Sequence, residues 1–140
     1  MFRSFMKPRH ILAVAAILAA GTLLAGPPCR AAVDDVRPVA TAELPNVPGK
    51  SITAIVVNYA PGAKSVKHHH AGSVLAYVLS GEIRSENSAT GPAKVFKAGE
   101  TFFEPPGSKH LVSENASATE PASLLAIFVA DDGAQLTIYE

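Results

Sequence analysis

The chain has 140 residues with 12 basic and 12 acidic side chains, a single cysteine and five histidines. Its first 31 residues carry Arg3, Lys7, Arg9 and Arg30 and no carboxylate, so without them eight basic residues face twelve acidic ones, a net charge of −4. A mildly acidic remainder with no basic cluster argues against nucleic acid and anionic membrane surfaces as partners, and its roughly 109 residues suffice for one domain but not two.

In chain order, the basic start is followed by an apolar run from Ile11 to Ala25 and then Gly26-Pro27-Pro28. That is the pattern of an export signal, too short for a comfortable membrane span, and removal of residues 1–31 would direct the protein to the periplasm or the medium. Cleavage there also removes Cys29, leaving neither a disulfide nor a thiol nucleophile. Residues 32–46, with Pro38 and Pro45 and no periodicity, are expected to form an extended linker ahead of a domain spanning 47–140. Ser51–Tyr59 is β-branched and stops at Pro61-Gly62, a strand and a turn. Val74–Leu79 and Glu82–Arg84 flank a corner at Ser80-Gly81, Asn87–Pro92 is a polar loop, and Lys94–Lys97 and Thr101–Glu104 are short strands. Leu111–Ser113 follows a Pro-Pro-Gly turn, Ser123–Ala130 is a continuous apolar run expected to be a fully buried strand, and Leu136–Tyr139 could close an edge. Many short strands without an amphipathic helix indicate an all-β sandwich or barrel, with jelly-roll closure the best fit.

Three of the four histidines beyond the signal are consecutive, His68-His69-His70. In a strand, side chains alternate between faces, so His68 and His70 point one way and His69 the other. His110, after the rigid turn Glu104-Pro105-Pro106-Gly107-Ser108-Lys109, can return opposite that pair. Three imidazoles suit a divalent transition metal (Fe, Mn, Zn, Ni or Cu) rather than Ca or Mg. Glu104 is the nearby carboxylate, a candidate catalytic base, a fourth ligand or a brace for an imidazole, on a face that Thr101-Phe102-Phe103-Glu104 does not fix. Tyr59 and Tyr77 are packing or pocket candidates, while Phe96, Phe102 and Phe103 are most simply core. No Ser-His-Asp set, phosphate loop or cysteine cluster is present, which leaves nucleophilic and nucleotide chemistry without support.

At these residues the sequence resembles the cupin superfamily. Gly62, His68, His70 and Gly81 fall on its first motif, and Gly99, Pro105, Gly107 and His110 on its second. Val74 stands where the first motif carries a ligating Glu, and Glu114 occupies the Asn position of the second, with Asn115 one residue late. The resemblance implies a double-stranded β-helix, or jelly-roll barrel, holding a metal through His68, His70 and His110, and it implies pairing into homodimers. It also implies a small-molecule ligand or substrate. Two functions follow from it: an oxygen-using or isomerising enzyme on a small organic molecule, or a non-catalytic module that binds a small ligand or metal.

Overall fold

The computed structural model describes residues 33–140; the expected signal and Cys29 lie outside them. Ten strands run through this region: β1 Val33–Glu43, β2 Lys50–Tyr59, β3 His68–His70, β4 Ser73–Ser80 and β5 Glu82–Asn87, then β6 Gly91–Lys97, β7 Thr101–Glu104, β8 Lys109–Asn115, β9 Ala122–Asp131 and β10 Thr137–Tyr139. They form two five-stranded sheets, ordered β1-β2-β9-β4-β7 and β10-β3-β8-β5-β6, and every pairing is antiparallel. The two sheets face each other as a jelly roll. Their facing side chains make the core, where Phe128, Ile83, Val74 and Val78 are the largest fully buried residues.

The stretch expected to be a linker is a strand over most of its length. β1 pairs along β2 from Val33↔Tyr59 to Glu43↔Ser51. Its side chains are largely exposed, so the ladder rather than apolar burial holds it, and such a strand leaves no alternation to read. Pro38 is tolerated because β1 is an edge strand, and the register slips between Pro38 and Ala40.

β9 also differs from expectation. Its even-numbered positions Ala122, Leu124, Ala126, Phe128 and Ala130 are buried, while Val129 on the opposite face is 37% exposed. The strand is therefore two-faced rather than fully buried, and its outward face is apolar as well. The same outer surface takes Leu75, Tyr77 and Leu79 from β4 and Phe103 from β7, all exposed. Phe103 is thus not core, whereas Phe102, one position earlier, turns inward and packs against Phe96 in a tilted pair at 4.9 Å between centroids.

Two glycines set the corners that matter for the site. Gly81, between β4 and β5, has φ +69°, and a Cβ there would lie 2.6 Å from the Pro121 carbonyl oxygen. Gly107 (φ 71°) completes the Pro-Pro-Gly turn, and its N–H donates to the His70 carbonyl at 2.8 Å. That bond ties the β7–β8 turn to the end of β3.

Candidate metal centre

β3 and β8 are hydrogen-bonded neighbours with His68 directly opposite His110 and His69 opposite Lys109. Period-two alternation then does what the sequence predicts: His68 (7% exposed), His70 (5%) and His110 (4%) are buried on the inner face, while His69 lies on the other face, only half-buried. One nitrogen from each of the three buried rings lies within 4.8 Å of the others, a spacing that small ring rotations close onto a single ion.

The hydrogen bonds behind the rings fix what faces inward. His68 Nδ1 donates to the Val66 carbonyl at 2.6 Å and His70 Nδ1 to the Leu136 carbonyl at 2.9 Å. A carbonyl only accepts, so in each neutral ring the proton sits on Nδ1 and Nε2 keeps its lone pair. His110 is reversed: its Nε2 is bonded to Ser85 Oγ at 2.9 Å, and in the tautomer that donates to Ser85 the inward lone pair is on Nδ1. Glu104 Oε2 stands 3.0 Å from His110 Nδ1 and 3.8 Å from His70 Nε2. The close contact to His110 lies off the line a hydrogen bond needs, so this buried nitrogen has no hydrogen-bond partner among the described residues. In that tautomer three imidazole lone pairs and a carboxylate oxygen converge, and among the described residues the one donor that reaches the carboxylate is Asn87 Nδ2 at 3.3 Å. Converging acceptors repel unless a cation lies among them, and this donor set fits a divalent transition metal.

Burial lowers the pKa of His68 and of His70, although the Val66 carbonyl, the Leu136 carbonyl and Glu104 work against it. Burial also works to raise the Glu104 pKa, but once the facing His110 Nδ1 carries a proton, that ring and the nearby imidazoles outweigh the effect and hold the carboxyl below its usual range. All three shifts have the same consequence for the metal-free protein. The folded state binds fewer protons than the unfolded state, so stability is complete above the ordinary histidine pKa of about 6.5 and declines as pH falls through the histidine and then the carboxyl range. Thermal unfolding in chelator is expected to show a midpoint that drops between pH 7 and pH 5. A His68→Gln/His70→Gln double variant should flatten that slope, and an unchanged slope would contradict the assignment.

The centre lies in the wall of a cavity of about 310 Å³ between the sheets. Ile55, Val57, Leu124, Ala126 and Phe128 give it apolar walls. Polar groups enter at two places. One is the histidine–carboxylate cluster; the other is a chain of hydroxyls in which Tyr59 lies 2.8 Å from Ser113 and 3.2 Å from Ser65. Burial raises the Tyr59 pKa, so its phenol stays protonated at neutral pH. Tyr77, by contrast, is 40% exposed on the outer sheet face and does not approach the cavity.

All four residues expected at the site are brought together: His68, His70, His110 and, facing inward after all, Glu104. Residues missed in the sequence are Ser85 and Asn87, which back His110 and Glu104. Their signal was the inward alternation Ile83, Ser85, Asn87 along β5. Asn115 was noted as one residue late. A register shift opposite Glu86/Asn87 resets the parity of β8, so His110 and Asn115 both point inward at an odd separation. Asn115 Nδ2 then donates to the Ala60 and Glu120 carbonyls at 3.0 and 2.7 Å, clamping the loop behind Tyr59. Glu114 faces outward to Lys64, at 2.8 Å.

A cupin-domain family model matches residues 55–128, more than half of the sequence, and the chain belongs to the cupin family. No curated protein matches it. Among solved structures with this fold is an oxalate oxidase (TM-score 0.54, 24% identity, covering 63% of this chain and 45% of that one). A conserved protein with a double-stranded β-helix domain from Klebsiella pneumoniae also matches at TM-score 0.54 and 24% identity, over 74% of this chain and 85% of its own. So does a DMSP lyase from Ruegeria pomeroyi (TM-score 0.54, 20% identity, 63% and 42% covered). The chain spans less than half the length of the oxidase and the lyase.

Proposed function

We propose that the protein is an exported metal-dependent enzyme acting on a small organic molecule, with a divalent transition metal held by His68, His70 and His110. The observation that carries this is the convergence of three buried imidazoles, two of them fixed as inward acceptors by backbone carbonyls, on a half-open, mostly apolar cavity. Catalytic metal centres keep a coordination position open toward a pocket, and this cluster faces the cavity. Bound there, the ion would supply Lewis-acid or redox chemistry to an oxygen-bearing substrate, oxygenation or isomerisation being the two classes considered. The protein's own part is to exclude water with the Val57, Leu124 and Phe128 walls and to orient the substrate from the Tyr59–Ser113 hydroxyls. The enzymes among its structural relatives, an oxalate oxidase and a DMSP lyase, support a small-molecule substrate on this scaffold.

The test is to load the protein with Fe(II), Mn(II), Zn(II), Ni(II) or Cu(II) and screen phenols, diketones and thiols. Oxygen uptake is followed on an electrode, and proton exchange in D₂O by NMR. Turnover with at least one metal–substrate pair is expected. A fully loaded protein inert in both assays would instead be the non-catalytic binding module. Export and pairing belong to the same proposal, the latter supported by the uncharged outer patch of Leu75, Tyr77, Leu79 and Phe103. Intact mass and sedimentation of protein collected from the periplasm or medium should give a chain shortened by about 31 residues and a dimer. A full-length monomer would contradict both.

A further inference from the structure

The geometry points to Glu104 as the carboxylate ligand of this centre, supplied from β7 in the place that Val74 leaves apolar on β4; this rests on the metal-binding role proposed above. Val74 and Glu104 are direct cross-strand partners. Both face inward, 1% and 3% exposed, and both line the cavity with the three histidines. Directly opposed residues in an antiparallel pair hold their Cβ atoms about 4.5–5.5 Å apart, so a carboxylate on either strand reaches the same volume.

Glu104 Oε2 sits between His110 Nδ1 and His70 Nε2, at 3.0 and 3.8 Å. Among the described residues no lysine or arginine reaches it, and its single hydrogen-bond donor is the long contact from Asn87. A buried carboxylate so poorly matched by donors is costly unless a cation completes its coordination. His110 Nδ1, which faces it, is buried without a hydrogen-bond partner among the described residues, and His70 Nε2 faces it from 3.8 Å, so one ion satisfies the carboxylate and the rings together. The ligand set is then three neutral nitrogens and one anionic oxygen, with the negative charge delivered from the strand before the Pro-Pro-Gly turn.

The experiment exchanges the two side chains. Apparent dissociation constants for Mn(II) and Zn(II), measured by chelator competition, are compared for wild type, Glu104→Val, and Glu104→Val combined with Val74→Glu, which restores both volume and charge. Loss of an outer-shell partner weakens metal binding by about 10–100-fold. Glu104→Val is expected to weaken it by more than that, and the exchanged pair to recover to within about tenfold of wild type. A Glu104→Val protein within tenfold of wild type would overturn the proposal, and so would a folded exchanged pair without recovery, since a residue that only braces His110 is not replaced from β4. Should the exchanged pair not fold, the Co(II)-loaded isosteric variant Glu104→Gln decides: its visible ligand-field bands should shift, and bands identical to wild type would overturn the assignment. Wild-type protein that binds neither ion would remove the metal centre itself, a different outcome from failure of the Glu104 variants alone.

Discussion

His70→Ala protein is expected to lose stoichiometric divalent metal, as are His68→Ala and His110→Ala, while His69→Ala retains it. The contrast follows from one strand. His68 and His70 are buried on the inner face and His69 is half-buried on the other, paired with Ile138 of β10 and Lys109 of β8. Removing one of three imidazoles deletes a ligand outright, so affinity should fall by more than the roughly 100-fold that marks the upper range for loss of an outer partner. Elemental analysis after gel filtration, with chelator competition for the affinities, checks this. Full occupancy in His70→Ala or His110→Ala would show that the ion does not sit among these rings. Because only neutral imidazole ligates, occupancy of the wild type should also fall on acidification.

Phe128→Ala is expected to be the most damaging core substitution. Phe128 comes from the centre of β9, is 2% exposed, and meets the His70 ring edge-on at 5.1 Å between centroids. Truncating a buried Phe costs about 3–5 kcal/mol, which in a domain of this size lowers the unfolding midpoint by roughly 12–20 °C. The cavity it leaves lies beside His70, so metal affinity should fall with stability. Phe103→Ala is the control. That ring is 48% exposed on the outside of the same sheet, and in protein dilute enough to be monomeric its loss should change stability by no more than about 0.5 kcal/mol. Equal effects of the two substitutions in thermal unfolding would contradict the assignment of faces.

The histidine arrangement was legible because it rests on strand periodicity and on a turn whose prolines and glycine are visible in the sequence. The face of Glu104 was not, for a reason seen in Phe102 and Phe103. Alternation is readable only where one face of a sheet is polar, and the outside of this sheet carries Leu75, Tyr77, Leu125, Ile127 and Phe103. The same feature made β9 resemble a strand buried on both sides. β1 reads as a linker in the sequence because backbone pairing to β2, not side-chain burial, holds it in place. Ser85 and Asn87 became meaningful only when β5 was seen to lie beside β8, a pairing of residues some 25 apart that no local pattern records. The shift that turns Asn115 inward depends likewise on an irregularity in the β5–β8 ladder.

His68, His70 and His110 are proposed to share one ion. Anomalous diffraction from crystals grown with Zn(II), collected on either side of the zinc absorption edge, tests it most directly. A single strong peak is expected inside the barrel at about 2.0–2.1 Å from one nitrogen of each of the three rings. A peak at His69 or elsewhere on the surface, with none between the three buried imidazoles, would contradict it.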